Sequence, residues 1–455
     1  MKKYIVFLVF WSVGNISLCQ VVYPIFKSKN DSVLYYTLQK ELFNGTGSSP
    51  VIERDSLFEI YERLRESIIS YKTIYSKSDK AISFDAEQAI NASFVSIHTY
   101  KGKKLPKSVY KLNKAESIEL VETKIKRLPS RLGKLKNLKT IYVYNNDTEG
   151  KSLKLGKLPN IEKIVVRSNH KDWVPTSFTS LKNLRYIDLQ NCQLEELPDI
   201  DDNQNLVSLV LKENNIKTFS INGNKFKKLT EINLQKNKIE NIGDGVAQLP
   251  SLKKLQLHYN NLSQLPDNIE NLQSLEELGL YQNKLTELPS GFYQLKNLRL
   301  LDLYYNNIKR MDDAIANLEK LEVLYLSHNE LIAIPDAVCA LKNLSELYLH
   351  NNKLTNITFS ARCLPQLKVL RINNNNFIEL PEFVKKLKQI EYLDISANSL
   401  IDVPVEIGDF QKLQLFVLKN NPYEDKNKVA DLVEKLQSKN VNVQVGFTRE
   451  KTNIN

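Results

Sequence analysis

Cysteine is scarce in this chain of 455 residues, with four in all, and Cys19 falls at the end of an N-terminal apolar run. The body keeps Cys192, Cys339 and Cys363, too few for a disulfide-stapled fold, and it has no C-x-x-C pair. Glycine is also sparse at fourteen, while Asn and Lys are plentiful, which suits stacked repeats rather than disorder. There is no P-loop, no G-x-S-x-G and no H-E-x-x-H. Nothing therefore cradles phosphate, presents a serine nucleophile or sets two histidines on a helix for zinc. His328 and His350 are expected on neighbouring strands without a third ligand, so neither a metal nor another cofactor is expected. An enzyme would need a site that the sequence does not show.

Acid is missing from one stretch. Between Tyr100 and Lys139 thirteen basic residues face only Glu116, Glu119 and Glu122, a local excess of ten against a net charge of +11. Lys101, Lys103, Lys104, Lys107, Lys124, Lys126, Arg127 and Arg131 are the candidates for holding a polyanion such as an acidic polysaccharide or lipid headgroups. Lysines that merely solvate the surface are the plainer account. Nucleic acid is not an expected partner, because no aromatic residues interleave with the charge.

Long apolar runs are absent after the first twenty residues. Lys2 and Lys3 precede an apolar stretch from Tyr4 to Val13, and Ser17 and Cys19 suit cleavage before Gln20. Residues 1–19 thus read as a secretory signal, too short to span a bilayer comfortably. Acylation of Cys19, as in a lipoprotein, is the alternative, with Leu18 a poor fit before it. An exported chain, periplasmic, secreted or attached to an outer membrane, is the expectation, with no transmembrane segment after the signal.

What the chain has in abundance is one phrase of 23 residues. It reads LKKLQLHYNNLSQLPDNIENLQS from Leu252, LEELGLYQNKLTELPSGFYQLKN from Leu275 and LRLLDLYYNNIKRMDDAIANLEK from Leu298. The register extends back to Ala92 and forward to Leu413, with one step of 22 after Leu184, giving fifteen copies of which the first two are degenerate. Leu255 and Leu257 alternate with Lys254, Gln256 and His258, the periodicity of a strand with one buried face. Asn stands at position 9 in ten successive copies, from Asn214 to Asn421, where its amide can satisfy backbone groups that the turn leaves unpaired. Pro follows at position 15 in nine copies and fixes φ before a short helical turn. No copy buries its leucines alone, so neighbours must stack.

This pattern, L-x-x-L-x-L-x-x-N-x-L followed by L-P-x-x-I-x-x-L, resembles the leucine-rich repeat family over about three quarters of the chain. The resemblance implies an α/β solenoid, a horseshoe with a parallel concave sheet and short helical or 3-10 convex turns. Fifteen strands ~4.8 Å apart would line an inner surface roughly 70 Å long. Residues 20–91 do not repeat and read as an N-terminal helical cap, with helices from Asp31 to about Phe43, from Leu57 to Tyr75 and from Asp85 to Asn91. Repeats fill 92–421, a helix-strand cap fills 422–449, and 450–455 is a tail. SINGNK, residues 220–225, breaks the pattern and predicts a local irregularity. Cys339 and Cys363, at positions 19 and 20 of adjacent copies, are close enough for a disulfide, though two free buried thiols are the simpler expectation.

In this architecture positions 3, 5, 7 and 8 are free to meet a partner. They carry His258, Tyr259, Tyr281, Tyr304, Tyr305, Tyr325, His328, Tyr348 and His350. Such rings offer apolar area and a hydrogen-bonding tip at low entropic cost, which suits a contact surface. Cross-strand ladders that only stabilise the sheet are the competing account. The charges around them are of mixed sign, which favours a shaped protein or peptide over a uniform polyanion. The expectation is a non-catalytic scaffold binding a protein or peptide across this stripe. The alternative is a carbohydrate or envelope-polymer binder that uses the same tyrosines and the basic patch.

Overall fold

The computed structural model describes residues 93–98, 100 and 102–446, together with the strands Cys19–Val21, Pro24–Phe26, Ile68–Tyr71 and Ile74–Ser76. Two compact units meet in sequence between Asn183 and Leu184. Each of the fifteen copies contributes one strand that begins at its third residue.

In the first unit Phe94–His98, Ser117–Val121, Thr140–Tyr144 and Lys163–Arg167 pair in parallel, each register offset by one repeat. The degenerate copies behave like the rest because Val95, Ile97, Ile118 and Leu120 still alternate inward and are buried. The short N-terminal strands correct part of the sequence reading. Ile68–Tyr71 and Ile74–Ser76 are extended where a helix to Tyr75 was expected. They pair antiparallel with Pro24–Phe26 and Cys19–Val21, and the latter also pairs with Phe94–His98. Ile68, Ile69, Tyr71, Ile74 and Tyr75 are β-branched or aromatic, the residue types that favour a pleated surface over a helix. The other expected helices, 31–43 and 85–91, lie outside the described residues, as does the start of the second.

In the second unit eleven three-residue strands run from Tyr186–Asp188 to Leu415–Val417, every neighbouring pair parallel and in register. Leu255, Leu257, Leu262, Leu265, Ile269 and Leu272 of one copy are all buried, and copies such as those from Leu298 and Leu367 repeat the whole set. Full burial of one such side chain stabilises by ~1.5–3 kcal/mol. The asparagines knit the stack as their position implied. Asn283 Nδ2 donates to the carbonyls of Leu257 and Leu280, both at 3.0 Å, and its Oδ1 accepts the Leu262 amide at 3.0 Å. Asn260, Asn306, Asn329 and Asn352 repeat these bonds one copy apart. Cys192 holds the same slot without an amide; its Sγ contacts the Gln190 carbonyl at 3.5 Å.

Behind the strands the chain returns through 3-10 turns, several opening directly after proline, as at Ser290–Gln294 and Asp336–Ala340. The irregular segment 220–225 is a point of close approach: a side chain on Gly223 or Gly245 would strike the backbone of the adjoining turn. Cys339 and Cys363 are joined in a disulfide, Cα atoms 4.8 Å apart, so the expectation of two free thiols is overturned. Stacking places the two turns at the spacing a disulfide requires. The helix α1, Lys426–Gln437, is capped by Asp425, whose carboxylate accepts the Lys428 amide at 2.9 Å. It buries Val429, Leu432 and Leu436 on the last repeat, and Asn442–Gln444 adds a strand beside Leu415–Val417.

Candidate functional site

Parallel in-register pairing stacks equivalent positions of successive copies into rows, so position 5 of the second unit reads Gln256, Gly279, Asp302, Tyr325, Tyr348, Arg371, Asp394. Beside it the position 7 residues His258, Tyr281, Tyr304, Ser327 and His350 and the position 8 residues Tyr259, Tyr305 and His328 lie on the same face. All nine rings expected from sequence fall in one connected cluster across five repeats. Tyr259 meets Tyr281 edge-on at 4.8 Å, Tyr281 meets Tyr304 at 5.0 Å, and Tyr304 meets Tyr305 at 4.7 Å. Tyr305 stacks on His328 at 3.9 Å, His328 abuts His350 at 5.7 Å, and Tyr325 stacks on Tyr348 at 4.5 Å.

The cluster has two levels. Tyr259 and Tyr305 are 39% and 43% exposed, and Tyr281, Tyr304, Tyr325, His328 and Tyr348 are partly so. His258 and His350 are buried, which removes them as direct contacts and makes them supports beneath the tyrosines. Their depth has local causes. The His258 ring fills the space above Gly279, where a side chain would collide with it. His350 Nδ1 shares a 2.7 Å hydrogen bond with Ser327 Oγ, the small residue of the position 7 row.

Position 8 has a backbone cost. Tyr259, Tyr305 and His328 adopt φ of 56°, 52° and 52°, the left-handed region, as does position 8 in all the remaining copies from Asn191 to Asn420, including Glu213, Lys236, Gln282 and Ala397. Asn tolerates that geometry, but a bulky ring there gives up roughly 1–2 kcal/mol. Three rings are thus held at the lip of the sheet against local preference.

Electrically the cluster is quiet. Burial drives both deep histidines down to about 3, so they are neutral at physiological pH. His258 Nδ1 accepts the Tyr281 amide at 3.1 Å. Its 3.7 Å approach to Asp302 Oδ2 is therefore a contact with an uncharged ring rather than an ion pair. Burial lifts Tyr325 to about 12, with the Glu346 carboxylate adding to it, and raises Tyr281 and Tyr348 as well. Most surrounding charges cancel from strand to strand: Lys253 with Glu276 at 2.7 Å, Lys254 with Glu277, Lys368 with Glu391 at 3.6 Å, and Arg299 with Glu322 through a two-pronged contact at 2.7 and 3.0 Å.

The site includes residues that the aromatic pattern does not single out. Gly279 seats His258, Asp302 and Arg371 end the run of position 5 tyrosines, and Asn351 bonds His328 Nε2 at 2.7 Å. Their shared signal is a break in the row, visible only once the rows are aligned.

The basic patch of the first unit is less open than its composition suggests. Lys103 and Lys126 lie 3.0 and 2.6 Å from Glu149, and Lys124 lies 3.7 Å from Asp147. These hydrogen bonds pull Glu149 down to about 2. Arg131 lies over the Tyr110 ring at 4.7 Å. Lys104, Lys107 and Arg127 make no ion pair among the described residues, and Lys101 lies outside them.

A family model described as leucine-rich repeat region matches residues 225–348, and a leucine rich repeat model matches 183–203. Among solved structures, a leucine-rich-repeat protein of Leptospira interrogans is 24% identical, with a TM-score of 0.54 over 82% of this chain and all of that one. An internalin from Listeria monocytogenes is 18% identical, with a TM-score of 0.51 over 82% of this chain and 92% of its own. The plant peptide hormone receptor RGFR1 in complex with RGF2 is 21% identical, with a TM-score of 0.55 over 70% of this chain and 57% of its own. None of the curated proteins matches. The repeat, its family models and its parallel solenoid make this chain a leucine-rich-repeat protein.

Proposed function

We propose that the chain is a non-catalytic interaction module that binds a protein or an extended peptide across the aromatic face of residues 254–350. The observation that carries this reading is the connected aromatic cluster of five repeats, with Tyr259 and Tyr305 exposed at its rim. A ladder serving the sheet alone needs no large exposed ring at its rim, whereas a contact surface gains exposed apolar area. The paired, mixed charges nearby suit a partner of defined shape.

Export supports the same picture. The Cys339–Cys363 disulfide suits an oxidising compartment. Replacement of Tyr281, Tyr304, Tyr325 and Tyr348 by Ala together is the test. Capture of partners from the native cell envelope should fall at least tenfold, and unchanged capture by a folded variant would reject this face.

A further inference from the structure

Within the position 5 row two tyrosines stand between charges of opposite sign. Asp302 pairs in register with Tyr325, Tyr325 with Tyr348, and Tyr348 with Arg371. Three strand steps put Asp302 and Arg371 about 14 Å apart. Among the described residues Asp302 lacks the cation that its neighbours have, and Arg371 is met by an acid at one terminal nitrogen only. Asp302 Oδ1 accepts the Tyr304 amide at 3.0 Å, and the nearest ring nitrogen, His258 Nδ1, is already an acceptor. No cation pairs with this carboxylate among the described residues. Arg371 Nη2 pairs with Asp394 Oδ2 at 3.5 Å, while Asp394 Oδ1 accepts the Ser396 amide and hydroxyl, and the guanidinium lies 5.8 Å from the Tyr392 ring. The Arg371 Nε is buried without an acceptor. Both side chains remain reachable, 14% exposed for Asp302 and 30% for Arg371. Glu346, two residues off the row, accepts the Tyr348 hydroxyl at 2.8 Å and leaves the aromatic span intact.

Resting on the proposed role of this face, we infer that the row recognises an extended peptide carrying a basic side chain at Asp302 and an acidic one at Arg371. An extended chain advances ~3.4 Å per residue, so the two charges stand about four residues apart. The basic group supplies the missing counter-ion of Asp302. The acidic group takes a terminal nitrogen of Arg371 beside its Asp394 contact, a charge-assisted hydrogen bond, while the Nε stays buried. The stacked Tyr325 and Tyr348 rings carry the intervening residues.

Selection of random twelve-residue peptides displayed on phage, against the full chain, tests this. The enriched pool should show a basic and an acidic residue about four apart. Arg371→Gln should lose selection for the acid while keeping the base, and Asp302→Asn should do the reverse. Each variant should weaken the best wild-type peptide about tenfold, with melting curves confirming that both fold. Enriched peptides without that charge pair, or charge preferences unmoved by either variant, overturn the inference. If such peptides still depend on the four tyrosines, the aromatic face stands without the charge rule. If no peptide enriches, both readings fail for peptide ligands.

Discussion

The ring of His258 rests in the space that a side chain on Gly279, in the next repeat, would need. Position 5 of that copy is the one place in the row where absence of a side chain lets a position 7 ring fold inward. Gly279→Ala should push the imidazole out, destabilising by about 1–2 kcal/mol because the colliding group is a side chain able to swing. The His258 resonance, followed by NMR, should then titrate nearer the ordinary histidine range. A ring that still fails to titrate above pH 4 would show that the seat does not depend on glycine.

Asn306 holds two repeats together with three bonds: Nδ2 to Leu280 and Leu303 carbonyls at 2.9 and 3.1 Å, and the Leu285 amide to Oδ1 at 3.0 Å. Asn306→Ala leaves those backbone groups buried and unpaired, with an expected loss of about 2–4 kcal/mol. Urea unfolding should show it, and Asn421→Ala at the more open end of the ladder should cost less. Equal losses would mean that burial does not govern the ladder.

Tyr305 offers a separation of stability from binding. Tyr305→Asn relieves a left-handed tyrosine but gives up the 3.9 Å stack on His328, two effects of about 1 kcal/mol each and of opposite sign. The melting temperature should therefore change little, while partner capture drops severalfold. Loss of stability with capture intact would assign the ring to the sheet.

The buried ionisable groups make opposing pH contributions. For His258 and His350, held at about 3 against 6.5 when unfolded, the unfolded chain binds more protons in between, so stability rises from about pH 3 to 6.5. Asp302 is lifted by burial to about 7 from 3.8, so the folded chain binds more protons there and stability falls as pH rises from about 4 to 7. Asp302→Asn removes only the falling part. The variant should exceed the wild type by on the order of 1–3 kcal/mol at pH 8 and by less at pH 4.5. Denaturation midpoints at both values decide it; a gain that is the same at each would place no ionisation cost on Asp302.

Cys339 and Cys363 close a loop spanning 24 positions. Replacing both with Ser should lower stability by about 3 kcal/mol through the freedom returned to the unfolded chain. The aromatic face is on the other side of these repeats, so tyrosine-dependent capture should persist at temperatures below the new transition.

The period of the apolar residues by itself determined the fold. Leucine spacing leaves no stable arrangement except stacked parallel coils, and Asn at position 9 announces its own ladder, because both depend on residues a fixed distance apart along the chain. The rings at positions 5 and 7 were readable for the same reason, since they share the parity that faces away from the leucines, whereas those at position 8 are turned by a left-handed backbone. What sequence could not fix depends on contacts one repeat away and on depth. His258 and His350 sink because Gly279 and Ser327 leave room, and Lys103 and Lys126 are answered by Glu149 on a neighbouring coil. Ile68–Tyr71 and Ile74–Ser76 carry helical and strand patterns alike, and pairing with Pro24–Phe26 and Cys19–Val21 settles them as strands. Periodicity tells a side chain which way to face; only its neighbours in space decide how deep it lies and whether its charge is met.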